Sequence, residues 1–225
     1  MTSSNTGDEL LTELYDKTLT GNGPAVVELT RTGLSQGLGP ETLLYDALIP
    51  ALEEVGARFE RGDFFVPEML IAGKAMAGAL EILRPLLAET GAETIGTVVM
   101  GTVKGDVHDI GKNLVNIRFE GAGFQVIDLG VQVSPEKFVD AVRAHKPDIV
   151  GFSAFLTTTM PMFKANLHAL TKAGLRDQVI VMVGGAPVTQ EYADVVGADG
   201  YAADASAAVV KAKELIRRRR ALINA

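Results

Sequence analysis

From residue 95 onward this chain alternates between two kinds of segment, and the alternation leaves few folds open. Apolar, β-rich runs lie at 95–101, 124–129, 148–152 and 179–183, with a weaker one near 199–202. Stretches with helical spacing of apolar residues separate and follow them, at 110–121, 135–145, 160–173, 188–196 and 204–220. Strands joined by crossover helices run parallel, and the crossovers are right-handed. The expected fold is therefore α/β: a flavodoxin-like (Rossmann-type) parallel five-stranded sheet, with strand order 2-1-3-4-5. In open sheets of this kind ligands sit beyond the carboxyl ends of the strands, near the point where the strand order reverses. Strands 1 and 3 are neighbours there. The loops after strands 1, 3 and 4 would then share one rim.

The first ninety residues have a different period. Leu10, Leu11, Leu14 and Leu19 fall near helical spacing, and Val26, Val27, Leu29 and Leu34 do so after a Gly-Asn-Gly-Pro turn. Pro40-Glu41 opens a third segment, with Leu43, Leu44, Ala47, Leu48, Leu52 and Val55 on one side. Pro50 is expected to bend or interrupt it. Gly62-Asp63 ends it, and Pro67 starts a fourth with Met69, Leu70, Ala72, Met76, Leu80 and Leu83. Short connections between four helices imply an N-terminal all-α four-helix bundle. The expected domains are a helical bundle over 1–90 and an α/β domain over 91–225. Ala88 to Glu93 reads as a linker, and Gly91 makes Leu87 to Thr94 the expected hinge.

Charge and composition remove several function classes. The net charge is −7, and residues 1–90 carry 14 acidic and 6 basic side chains. An acidic first half argues against nucleic acid as a partner. The run Arg217 to Arg220 is accounted for as a solvated helix end, where the macrodipole favours cations. No apolar run reaches the roughly 20 residues of a membrane span, and the start lacks the basic and apolar segments of a signal peptide. No membrane and a cytoplasmic location are expected. The chain has no Cys and three His, which excludes disulfides and thiol catalysis and argues against a multi-ligand zinc site.

What remains is the run Gly105-Asp106-Val107-His108-Asp109-Ile110-Gly111-Lys112-Asn113, at the junction of the first strand and the next helix. One histidine stands between two carboxylates. A ligating histidine usually donates its second ring N–H to a carboxylate or carbonyl, which fixes the tautomer and raises the basicity of the ligating nitrogen. Asp106 is spaced to turn back onto the ring. A single histidine with one carboxylate suits a metal that a macrocycle already holds. Asp109, Lys112 and Asn113 suit a helix N-terminus and polar contacts. His145, in a turn, and His168, in a helical run, read as ordinary residues.

Asp106-x-His108-x-x-Gly111, followed by Ser153-Ala154-Phe155 and Gly184-Gly185, resembles the cobalamin-binding domain of corrinoid methyltransferases. The extended form Asp-Val-His-Asp-Ile-Gly-Lys-Asn is similar to methionine synthase and to the small corrinoid methyl-carrier proteins of methanol, methylamine and aryl-ether methyl transfer. The resemblance covers nearly the whole chain. It implies cobalamin or a related corrinoid, alternating between methylcobalamin and cob(I)alamin. His108 would ligate the cobalt from below in place of the cofactor's own base, and Asp106 would hold the ring. Asp109, Ile110 and Gly111 complete that loop. By the same resemblance Ser153 and Thr159 orient the ligand network and the lower face, and Thr157 contacts the corrin or its nucleotide loop. Gly184 and Gly185 admit the nucleotide tail. Thr157-Thr158-Thr159 also suits a cap for a helix beginning near Met160 and Pro161. The family has Leu at the third position of Ser-x-Leu; here it is Phe155, still apolar but larger. Phe65 and Met69 would approach the upper corrin face from the bundle, although aromatic and Met residues at helical spacing equally suit a bundle core.

The function implied is that of a carrier, with no residue in a catalytic role. A methyl group would pass from a substrate-specific methyltransferase to a second one serving tetrahydrofolate or a thiol, with a reductive activator as a further partner. The alternative is a cobalamin-dependent sensor or regulatory module. A mutase subunit is disfavoured, because those commonly carry Asp-Gly-His-Asp-Arg-Gly-type loops, whereas Val107 and Ile110 match the methyltransferase form.

Overall fold

The computed structural model describes residues 3–90 and 94–223. Two compact units make up the chain, with the principal boundary between Glu93 and Thr94. Of the linker expected over Ala88 to Glu93 and the hinge over Leu87 to Thr94, residues 87–90 continue α5, and 91–93 lie outside the described residues.

The N-terminal unit contains α1 (Ser3–Leu19), α2 (Gly23–Ser35), α3 (Pro40–Leu43), a π-helical turn (Leu44–Leu48), α4 (Ile49–Arg61) and α5 (Val66–Thr90). Leu43, Leu44, Leu48 and Ile49 all keep right-handed helical dihedrals, so 40–61 is one continuous rod. Pro50 has no N–H to return to the preceding turn, and its ring crowds the carbonyl four residues back. The rod absorbs this by widening the turn before it: Ile49 N–H donates to Leu44 O, five residues back. The expected interruption is thus a widened turn rather than a break. Asn22 Oδ1 accepts from Ala25 N–H (3.3 Å) at the start of α2. Gly62, at φ 79°, closes α4, a conformation that favours glycine. Of the apolar residues expected along these helices, Leu14, Val26, Leu43, Leu48, Leu52, Val55, Met69, Ala72, Met76 and Leu83 are among the buried ones, whereas Leu11, Val27, Leu29, Leu34 and Leu70 are half-buried.

The second unit alternates β1 (Thr97–Thr102), α6 (Ile110–Gly121), β2 (Gln125–Asp128), α7 (Pro135–His145), β3 (Ile149–Ser153), α8 (Met162–Lys172), β4 (Ile180–Gly184), α9 (Gln190–Val196), β5 (Gly200–Tyr201) and α10 (Ala205–Ile223). All five strands are parallel, in the expected order β2-β1-β3-β4-β5. Parallel sheets are buried on both faces, so their strands read as continuous apolar runs. Val99, Val150, Phe152, Val181 and Val183 pack on one face with Phe138 and Val142 of α7, Phe163 and Leu167 of α8, and Ala193 of α9. Each such side chain contributes about 1.5–3 kcal/mol on burial. Ser134 caps α7 by accepting from Lys137 N–H, and Thr189 caps α9 by accepting from Tyr192 N–H. Register fixes the rim: Thr102 pairs with Ser153, and Ser153 with Gly184. The last residues of β1, β3 and β4 therefore stand side by side, and the three loops leave from one level. Among the described residues, no helix is long and apolar enough to cross a membrane.

Candidate functional site

The loop after β1 is built by backbone bonds before any side chain acts. Asp106 N–H donates to Val103 O (3.1 Å) across a turn whose third residue, Gly105, sits at φ 84°. That is a conformation β-turns reserve for glycine. Thr102 Oγ1 donates to His108 O (3.0 Å), and Gln132 N–H donates to Asp106 O (3.1 Å). The loop after β2 thus braces the loop after β1. Gln132 accepts an unusual φ of 53° to do so.

Asp106 is fully buried at the centre of this arrangement. Its Oδ1 accepts from His108 N–H (3.0 Å) and from His108 Nδ1 (2.7 Å). Its Oδ2 accepts from Phe155 N–H (2.8 Å), Leu156 N–H (3.2 Å) and the Thr159 hydroxyl (2.7 Å). Burial acts to raise its pKa. The bonds from His108 N–H, the Thr159 hydroxyl, the His108 ring and Phe155 N–H outweigh that and hold the carboxyl well below the usual carboxylate range. An ionised carboxylate has only lone pairs to offer, so His108 Nδ1 must be the donor. In the neutral ring the free lone pair is then on Nε2, and the His108 side chain is 44% exposed.

The exposed large side chains of the two loops are apolar, with the half-buried Asp109 next to His108 in the chain. Val107 and Ile110 flank His108 and are 58% and 61% exposed; Phe155 and Leu156, bonded to the same carboxylate, are 51% and 39% exposed. The Phe155 ring stacks on the imidazole, with centroids 4.4 Å apart and planes 29° from parallel. Such an apolar collar is costly in water and suits a large apolar ligand.

The remaining expected residues distribute as follows. Asp109 immediately precedes α6, and its carbonyl accepts from Asn113 N–H (2.8 Å). Gly111, in the first turn, is exposed. Ser153 ends β3, half-buried, and Thr157 is exposed in the loop beyond it. Thr159 is not a helix cap: α8 begins at Met162 behind Pro161 with no side-chain cap, and the Thr159 hydroxyl is turned to Asp106 instead. Gly185 sits at φ 127°, and a Cβ there would lie 1.9 Å from Ala154 O. Its missing side chain is therefore already used by the β3 loop. Gly184 is roomier, with the nearest atom 3.8 Å from a built Cβ. In the helical unit Phe65 is 65% exposed and Met69 fully buried. His145 and His168 are exposed and away from the loop.

Sequence reasoning missed three supports, Thr102, Gln132 and Asp128, the last being the partner of Lys112, for which only polar contacts were expected. Lys112 Nζ, almost fully buried, donates to Asp128 Oδ2 and to Asn113 Oδ1. A lysine in the first turn of a helix runs against the macrodipole, and that was the signal available.

The fold and this loop define an α/β binding module that presents one outward imidazole nitrogen in an apolar collar. Among the described residues, no group of three or more His, Cys, Asp or Glu could hold a bare metal ion. A lone anchored imidazole fits a metal whose other ligands a macrocycle supplies. Residues 96–210 match the B12 binding domain family, and residues 10–84 match a second B12 binding domain family. The chain is 42% identical over 210 residues to dimethylamine corrinoid protein 1 of Methanosarcina acetivorans, covering 93% of this chain and 98% of that protein. It resembles the methanol:cobalamin methyltransferase complex of Methanosarcina barkeri, with TM-score 0.81 and 31% identity over 93% of this chain and 80% of that one. It also resembles a cobalamin-binding protein of Desulfitobacterium hafniense, with TM-score 0.65 and 29% identity over 92% and 97%. The chain belongs to the B12-binding corrinoid proteins, and its cofactor is a corrinoid.

Proposed function

We propose that this chain is a methyl carrier that binds its corrinoid base-off, with His108 on the cobalt, and shuttles a methyl group between two methyltransferases. The carrying observation is the Asp106–His108 pair, in which a buried carboxylate takes the Nδ1 proton and leaves Nε2 as the outward donor. A bound corrinoid supplies a cobalt centre that can take up and release a methyl group. Everything else is the work of the chain. Asp106 fixes the tautomer of His108 and anchors one edge of its ring, and a carboxylate behind an imidazole makes it a stronger donor. Thr159 and the N–H groups of Phe155 and Leu156 keep Asp106 ionised. Val107, Ile110, Phe155 and Leu156 give an apolar support that excludes water. Ser153, Thr157 and Gly184 on the shared rim, with Asp109 and Gly111 on the histidine loop, are the polar and small groups proposed for the nucleotide tail. Phe65, exposed in the helical unit, is proposed for the opposite corrin face; the burial of Met69 favours a core role for that residue.

The names of the relatives support a methylamine or methanol as the ultimate methyl source, delivered by a substrate methyltransferase. A second methyltransferase would receive the group, and a reductive activator is a third proposed partner. Protein reconstituted with hydroxocobalamin should keep about one corrinoid per chain through gel filtration. In His108→Ala the bound cobalt(II) should lose the electron paramagnetic signature of an axial nitrogen. An unchanged signature in that variant would reject His108 as the ligand. A wild-type protein that neither accepts methyl from any methylamine or methanol methyltransferase nor passes it on would reject the carrier role.

A further inference from the structure

We propose that Phe155 is a positioning residue that sets the plane of the His108 imidazole before any cofactor arrives. The two torsions of a histidine side chain are held here by very little. The bond from Nδ1 to Asp106 Oδ1 (2.7 Å) fixes one edge of the ring but allows it to tilt about that bond. With the side chain 44% exposed, the protein covers only part of the ring. The Phe155 ring supplies the missing constraint, lying on the imidazole with centroids 4.4 Å apart and planes 29° from parallel.

The backbone of Phe155 is held independently of its ring. Its N–H donates to Asp106 Oδ2 (2.8 Å), the N–H of Leu156 donates to the same oxygen, and Ala154 N–H donates to Gly184 O (3.1 Å). One carboxylate therefore aligns both partners of the stack: the imidazole through Oδ1, and through Oδ2 the backbone that carries the phenyl. A leucine at this position would keep the backbone bonds and the apolar character, but it has no flat face to stack. The aromatic ring turns a residue that would only line the collar into one that orients the ligand. A stacked aromatic pair adds enough to hold one orientation about two- to ten-fold over its alternatives. An imidazole ordered in advance spares the cofactor the entropy of ordering it. That consequence, though not the stack itself, rests on the reading of His108 as cobalt ligand.

The test uses the full chain without corrinoid and reads the His108 ring protons by NMR. In the wild type these protons should be displaced upfield by the stacked ring. In Phe155→Leu removal of the phenyl abolishes the displacement by itself, so the deciding readout is the ring orientation from nuclear Overhauser contacts: the single wild-type orientation should be lost, with Asp106 still bonded to Nδ1. In Phe155→Trp, which offers another flat face, it should be retained. A single wild-type ring orientation kept in Phe155→Leu would overturn the proposal, as would its loss in a folded Phe155→Trp. Because no corrinoid is present, either failure leaves the ligand assignment standing. That assignment fails separately, through the cobalt(II) spectrum of His108→Ala.

Discussion

Asp106→Asn should move a proton across the imidazole of His108. Both carboxylate oxygens face donors: His108 N–H and Nδ1–H at Oδ1, and two backbone N–H groups with the Thr159 hydroxyl at Oδ2. An asparagine must aim its NH2 at one of these sets. Aimed at the Oδ2 side, it leaves the N–H groups of Phe155 and Leu156 without an acceptor, and neither can reverse. Aimed at the Oδ1 side, it orphans only the His108 N–H, because the imidazole can change role. Nδ1 then accepts from the amide, and the ring proton moves to Nε2. The second arrangement is better by one buried N–H, worth about 1–3 kcal/mol. Even so, one N–H stays unpaired and an ionic acceptor becomes neutral, for a total loss of about 2–4 kcal/mol. Against a typical domain stability of about 5–15 kcal/mol, this is large but survivable. Long-range nitrogen–proton NMR of the imidazole, at a pH that keeps the ring neutral, distinguishes the tautomers, and urea unfolding gives the stability loss. Retention of the Nδ1–H tautomer in the variant, or a loss under about 1 kcal/mol, would refute the reasoning. If it holds, Asp106 serves chiefly to keep the ring proton on Nδ1 and leave the lone pair of Nε2 free.

Other expectations separate near neighbours. Gly185→Ala should cost about 2–4 kcal/mol, since it combines a left-handed backbone with a Cβ placed on Ala154 O, while Gly184→Ala should cost under about 1 kcal/mol; equal unfolding midpoints would contradict this. Asp128→Ala should destabilise more than Lys112→Met, because it strands a buried cation at a cost of up to about 3–5 kcal/mol, whereas the half-exposed Asp128 can be rehydrated. The reverse order in urea unfolding would count against the pair as described. Thr159→Val should cost about 1–2 kcal/mol through the lost bond to Asp106, and Thr157→Val close to nothing, since Thr157 is exposed; equal losses would count against the placement of Thr159.

The sheet was legible because burial on both faces writes a parallel strand as an unbroken apolar run, and the runs at 95–101, 148–152 and 179–183 are of that kind. β5 was the weak run, and it is two residues long. Pairing only with β4, it has little need of apolar side chains. Pro50 does interrupt the α-helical bonding, but the form of the interruption was not legible, for a local reason. Sequence records that a proline cannot donate, but not that the preceding turn can widen to carry the helix past it.

At the site, the legible contacts were those between residues close in the chain. Asp106 and His108 are two apart, so their contact needs only a turn, and Gly105 announces one. The donors on Oδ2 come from about fifty residues away, and no pattern within the loop could report them. The Thr157 to Thr159 run had two readings in the sequence, and tertiary demand decided between them: a buried carboxylate needs another donor more than an exposed helix start needs a cap, which water can replace. The same ordering explains Gly185. A glycine after a strand suggested room for a ligand, yet packing against Ala154 claims that space first. Residues around a buried charge serve that charge before anything else, and the ligand surface proposed above is what they leave facing out: one nitrogen of His108 and the apolar side chains beside it.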